Sequence, residues 1–180
     1  MRYEEAKLPL IFFFLFLFFS KGAYPMALKL ESTAFKAGEK IPVQYTCEGK
    51  DLSPALSWSG APQGIKYWAL IMDDPDAPMG TWVHWVFYNI PANVAQLAEG
   101  ISSQETLSNG AKQGFNDFKK LGYGGPCPPP GKPHRYFFKL YALDAVLELP
   151  AKATKAQLVA AMKNHILAET ELVGLYQRGR

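Results

Sequence analysis

Three short apolar runs, each closed off by turn formers, restrict what this chain can fold into. Tyr67-Trp68-Ala69-Leu70-Ile71-Met72 is nearly continuous, ends at Asp73-Asp74-Pro75, and is too short for a typical helix. That pattern predicts a strand buried on both faces. Val83 to Ile90 is aromatic and β-branched and is stopped by Pro91, which predicts a second strand. Arg135 to Leu143 alternates, so Tyr136, Phe138, Leu140 and Ala142 share one face of a third. Ile41 to Thr46 reads as a further strand with Ile41, Val43 and Tyr45 on one side, and Leu172 to Tyr176 as a short final one. The 15 glycines and 14 prolines call for many turns. The expected class is mainly β, antiparallel, with a few helices at the margins.

Two helices are expected. One is a short turn near Val94 to Glu99, inside a polar stretch from Ala92 to Leu121 that otherwise reads as loop. The other runs from Thr154 to about Leu167. Thr154 and Gln157 form a capping-box pattern. Leu158, Met162 and Ile166 then recur at four-residue spacing as one apolar stripe.

The expected domain layout is a leader, residues 1–25, followed by one domain, residues 26–180. The twelve residues Leu8–Phe19 are apolar, short for a membrane span and suited to the core of a signal peptide. Their flanks fit less well, because Glu4 and Glu5 offset Arg2 and Lys7. A second reading makes Met26 the true start. The first predicts a secreted or periplasmic protein and the second a cytoplasmic one. The net charge is +3 without any dense Lys/Arg run, which argues against nucleic acid as a partner.

Chemistry concentrates in two segments. Asp73-Asp74-Pro75-Asp76-Ala77-Pro78 leads into Trp82-Val83-His84-Trp85, and Gly124-Gly125-Pro126-Cys127-Pro128-Pro129-Pro130-Gly131 leads into His134-Arg135-Tyr136. Each sets ionisable side chains where a stiff loop meets an apolar strand. Asp74 either orients an imidazole or caps its own turn, and Asp76 more readily caps. His134 and Tyr136 are two apart and share a strand face, leaving Arg135 on the other, where an aspartate could pair with it. Gly124 and Gly125 let backbone amides approach an anion, while Pro128, Pro129 and Pro130 can only form a rigid wall. Two imidazoles that protonate near neutral pH favour an anionic ligand such as phosphate. His165, on the expected helix, has no assigned role.

These segments resemble the phosphatidylethanolamine-binding protein family, which includes the Raf kinase inhibitor proteins, and its bacterial and archaeal YbhB/YbcL-type branch in particular. Tyr45-Thr46-Cys47-Glu48-Gly49 with Asp51, Ser53, Pro54, Leu56 and Trp58 is similar too, as are Asn89-Ile90-Pro91 and Tyr141-Ala142-Leu143-Asp144. The resemblance runs from about Leu28 to about Tyr176. It implies a fold of two antiparallel sheets with Greek-key connections and a pocket at one end of the larger sheet. It implies ligand-binding roles for Asp74, His84, Gly125, Pro126, His134 and Tyr136. It also implies a non-catalytic binder of a small anionic or phosphorylated ligand, such as a phospholipid head group, with inhibition of a kinase or protease as a further role. No cofactor is implied. The chain departs from eukaryotic members at Trp82-Val83-His84, where they often carry adjacent histidines, and in the short Met79-Gly80-Thr81 connection.

Two alternatives compete with binding. Cys127 and His134 would be the nucleophile and base of a cysteine hydrolase, but the prolines after Cys127 remove the amide donors an oxyanion would need. Asp74, Asp76, His84 and His134 would be a metal site, but they lack a compact ligand spacing. Cys47 and Cys127 leave a single intramolecular pairing. A disulfide and two half-buried thiols both fit the sequence.

Overall fold

The computed structural model describes residues 27–150 and 152–179. The leader, and with it the choice between a signal peptide and a start at Met26, lies outside the described residues. Among the described residues eight strands and one α-helix follow in chain order: β1 (Lys29–Ser32), β2 (Leu56–Ser59), β3 (Tyr67–Asp74), β4 (Trp82–Pro91), β5 (Gln96–Leu97), β6 (Lys112–Gln113), β7 (His134–Leu143), α1 (Lys155–Met162) and β8 (Ile166–Tyr176). They form a three-stranded sheet in the order β1-β2-β5 and a five-stranded sheet in the order β6-β4-β3-β7-β8. Every strand pairing is antiparallel.

The near-continuous apolar run of β3 is explained by its central place. Trp68, Leu70 and Met72 pack between the two sheets with Leu30, Leu56, Trp58, Trp85, Phe87, Phe138 and Leu172. Ala69 and Ile71 face the other way, against Val86, Tyr88, Leu158 and Met162. A strand covered on both sides leaves no position for an unpaired polar residue, and its first polar side chain, the buried Asp73, is paired with Lys139 and Lys155. Tyr136, Phe138, Leu140 and Ala142 all join the inter-sheet core, as the alternation of β7 predicts. Full burial of side chains such as Leu70 and Ile71 contributes about 1.5–3 kcal/mol each relative to exposure.

Four local expectations fail, each for an identifiable reason. Residues 41–46 are not a strand. Ile41 makes one ladder contact, Ile41 N to Leu175 O, and then Pro42 starts a 3₁₀ turn over Val43–Tyr45. Thr46 Oγ1 donates to Val43 O and closes that turn. Gly49 lies so close that a Cβ there would sit 2.1 Å from Val43 O. Residues 94–99 are not helical, because Leu97 pairs with Leu56 to complete the small sheet. The Thr154 capping box forms as predicted, but α1 stops at Met162. Asn164 takes φ +70° and His165 turns back to Asp144, its Nδ1 2.8 Å from Oδ1. Ile166 then opens β8, which runs eleven residues and not five.

Candidate functional site

The first turns of β4 and β7 and the end of β3 meet at one end of the large sheet. Asp74 closes β3, Trp82 lies opposite it on β4, and His134 opens β7. Pairing between β3 and β4 slips here. Met72 faces Trp85 and Asp73 faces Val83, so His84 has no partner of its own. This β-bulge turns His84 to the face that carries Tyr136, and the two rings stand edge to face with centroids 5.2 Å apart. Phe118 closes the other side, 5.3 Å from His84 and 5.4 Å from Trp82.

Asp74 fulfils both roles considered for it. Its Oδ1 accepts the Asp76 amide at 2.8 Å and so caps the turn that Pro75 stiffens. Its Oδ2 lies 2.8 Å from His134 Nδ1. A carboxylate can only accept, so Nδ1 carries a proton and Nε2 is the nitrogen left for a ligand. Both side chains are buried, with 4% and 11% of their surface exposed. Asp76 serves a different purpose. It accepts from the Arg135 amide at 2.9 Å and from Arg135 Nε and Nη2 at 2.9 and 2.7 Å, fixing the start of β7. These bonds hold its carboxyl down at about 2.

The structure distinguishes the two imidazoles that look equivalent in the sequence. His84 Nδ1 lies 2.6 Å from Gly124 O. A carbonyl oxygen can only accept, so Nδ1 is protonated. Burial lowers the His84 pKa, although the Gly124 and Gly125 carbonyls, Asp74 and Asp51 pull the other way. The ring is therefore held toward its neutral form, with a lone pair on Nε2. Tyr136 is fully buried, and its hydroxyl has no hydrogen-bond partner of good geometry. Burial first, then the nearby Asp74 charge and a weak hydrogen bond to that carboxylate, pushes its phenol up. Trp82 Nε1 is likewise sealed from solvent without a partner.

The glycine pair does not present its amides to a ligand, contrary to expectation. Gly124 N donates to His84 O at 2.9 Å, and Gly125 N donates to Asp51 Oδ1 at 2.6 Å. A Cβ on Gly125 would lie 2.4 Å from Tyr45 O and 2.5 Å from Asp51 Oδ1. The close approach that needs glycine is therefore to the protein's own 45–51 loop. Pro126 O accepts from Cys47 N at 3.2 Å, and a disulfide joins Cys47 to Cys127 with Cα atoms 5.4 Å apart. This loop positions His84, and its two glycine amides are taken up by the protein itself. The bridged Cys127 has no thiolate to offer as a nucleophile.

A cleft of about 440 Å³ opens at His134, lined by Asp76, Pro129, Pro130, Lys132, Pro133, His134 and Arg135, with Asp74, Trp82, His84 and Tyr136 behind His134 and outside its lining. Pro129 and Pro130 line it as a wall together with Pro133, whereas Pro128 is buried outside the lining. Among the described residues no three His, Cys, Asp or Glu side chains group as metal ligands. Asp76 is committed to Arg135 and His84 Nδ1 to a carbonyl. Sequence reasoning missed Phe118 and the part played by Asp51, which lies 74 residues from the amide it holds. Neither carries a local signal.

Comparisons with known proteins agree with this architecture. A family model described as phosphatidylethanolamine-binding protein matches residues 31–177. A UPF0098 protein of Methanothermobacter thermautotrophicus is 50% identical over 152 residues, which span 84% of this chain and 100% of that one. A UPF0098 protein of Aquifex aeolicus is 48% identical over 165 residues, 91% of this chain and 95% of that one. Among solved structures, a homologue of phosphatidylethanolamine-binding proteins from Chlamydia trachomatis matches with a TM-score of 0.77 and 43% identity, covering 85% of this chain and 99% of its own. YbcL of E. coli, described as a member of the mammalian family, matches with a TM-score of 0.79 and 34% identity, covering 86% and 100%. The match across residues 31–177, the two-sheet fold and these relatives together show that the chain belongs to the phosphatidylethanolamine-binding protein family, in its bacterial and archaeal branch.

Proposed function

We propose that this protein is a non-catalytic binder of a small ligand through its phosphate group, held at the cluster of Asp74, Trp82, His84, His134 and Tyr136. The observation that carries the reading is the orphaned Tyr136 hydroxyl. It is fully buried and makes no hydrogen bond of good geometry, and the acceptor beside it, Asp74, is already bonded to His134 two residues away and to the Asp76 amide. A buried unpaired polar group costs about 1–3 kcal/mol, and a bound oxyanion removes that cost. His134 turns Nε2 toward the ligand while Asp74 holds Nδ1. A phospholipid head group, a phosphodiester, and a free phosphorylated metabolite, a monoester, both present accepting phosphate oxygens to these donors.

Titration with inorganic phosphate, followed through the imidazole resonances by NMR, tests the proposal. Both His84 and His134 signals should move with one saturable curve. His134→Ala should weaken binding by about 1.5–3 kcal/mol, the scale of a hydrogen bond to a charged group. Saturable binding that moves neither imidazole would place the anion elsewhere and refute the assignment.

A further inference from the structure

We infer, on the footing of the phosphate reading, that the Cys47–Cys127 bridge is a redox latch on the cleft. Closed, it holds the proline wall in place for the anion; reduced by a dithiol, it releases the wall. The wall is the segment from Cys127 to Pro133, which supplies Pro129, Pro130, Lys132 and Pro133 to the cleft and runs straight into His134. Pro128, Pro129, Pro130 and Pro133 have no N–H to donate, so they cannot tie the segment down through amide bonds of their own. Pro128 is buried beside the bridge, but residues 129–133 are all exposed. One side chain reaches the far end: Gln177 Nε2 donates to Gly131 O at 2.5 Å, at an exposed position where water competes for the bond. The covalent bond at Cys127 is the firm anchor.

The other half of the bridge sits on a loop that is itself well held. Tyr45 O accepts from Tyr123 Oη at 2.7 Å, Asp51 Oδ1 from Gly125 N at 2.6 Å, and Cys47 N donates to Pro126 O at 3.2 Å. These bonds fix the chain as far as Pro126. Beyond it the bridge links the wall to the 45–51 loop. Cys47 is exposed and Cys127 half-buried, so a dithiol meets the Cys47 sulfur first. Its thiolate bonds to Cys47 Sγ, the bond between the two cysteine sulfurs breaks, and Cys127 leaves as a thiolate that takes up a proton. The second thiol of the reductant, as thiolate, attacks the mixed disulfide, frees Cys47 as a thiol and departs with its partner as a disulfide. Two electrons and two protons thus move from the dithiol to the bridge. A released wall must be ordered each time a ligand enters, and that cost is taken from the affinity. The same chain therefore has a tighter form in oxidising surroundings and a weaker one where dithiols keep cysteines reduced.

Phosphate titration of the purified protein, with the bridge intact and again after dithiothreitol treatment and removal of the reagent under argon, gives the first reading. Reduction should weaken phosphate binding about five- to tenfold, the scale of ordering a flexible side chain or two at a site. Reoxidation should restore it. Nitrogen-15 relaxation gives a second reading that needs no ligand. The order parameters of the Gly131 and Lys132 amides should fall on reduction to about 0.6 or below, while those of β3, β4 and β7 stay at rigid-backbone values. The double variant Cys47→Ser, Cys127→Ser should match the reduced protein and ignore dithiothreitol. Equal phosphate affinity in the two redox forms would overturn the inference and leave the anion site standing. So would unchanged order parameters at Gly131 and Lys132, or a dithiothreitol effect that persists in the double variant. Loss of the β3, β4 and β7 signals on reduction would also overturn it, because the bridge would then hold the whole fold and not the wall. Phosphate binding by neither form would overturn both the inference and the reading it rests on.

Discussion

Replacing Tyr136 by Phe should make the unliganded protein more stable and the liganded protein weaker. The Tyr136 side chain is fully buried in the inter-sheet core, and its hydroxyl is sealed without a partner. An unsatisfied buried hydroxyl costs about 1–3 kcal/mol. The Asp74 carboxylate nearby offsets part of this, since it accepts weakly from the hydroxyl. The lower end is therefore expected, a gain of about 1 kcal/mol on removing one oxygen with no change in packed volume. For a domain of this size that gain raises Tm by roughly 2–4 °C. Urea unfolding checks it, with the midpoint moving up at constant slope. The same titration with phosphate present tests the other half. Saturating the wild type at a hundred times Kd adds about 2.7 kcal/mol, and the variant should lose about 1–1.5 kcal/mol of that. A Phe variant destabilised by about 1 kcal/mol or more would show that the hydroxyl is bonded in the free protein. Full protection by phosphate would show that it never reaches the ligand.

Two further tests concern the scaffold. Cys47 and Cys127 are 80 residues apart, so replacing both by Ser should cost at most about 4.5 kcal/mol on the chain-entropy scale, read as a lower urea midpoint that matches the reduced wild type; a loss below about 1 kcal/mol would mean that the bridge adds no constraint on the unfolded chain. Asp76 has its folded pKa depressed to about 2, so the stability it supplies is present above the unfolded value near 4 and is lost as pH falls from about 4 to about 2. Its Arg135 partner is about half exposed, so screening limits the contribution to roughly 0.5–1 kcal/mol. Asp76→Asn should remove that step from the acid limb of the stability profile, and an unchanged limb would refute the assignment.

The sequence alone determined what depends on residues close together in the chain. The apolar run of β3 can only sit where both faces are covered, and the fold puts it at the centre of the sheet. The two-residue spacing of His134 and Tyr136 sets them on one face of β7, because a strand repeats every two residues. The Thr154–Gln157 box marks where α1 begins. Extended and curled backbone are harder to separate at this range. Residues 41–46 alternate like a strand, yet Pro42 and the approach of Gly49 curl them into a turn. The stripe of Leu158, Met162 and Ile166 continues on paper past the Asn164 turn that ends the helix.

The tertiary structure decided how the site is wired. His84 faces the Tyr136 side of the core because β4 carries one residue more than β3 across the slip, and no local pattern reveals a bulge in a strand that is apolar on both faces. The amides of Gly124 and Gly125 look free in the sequence, but His84 O and a carboxylate 74 residues away take them up. The cysteine pairing that the sequence leaves open is closed by a bridge once Cys47 and Cys127 are brought side by side. Which ring nitrogen bears the proton follows from the same contacts. Residue types and spacing show which groups could act; the acceptors that reach them first, across long stretches of chain, decide which remain for a ligand.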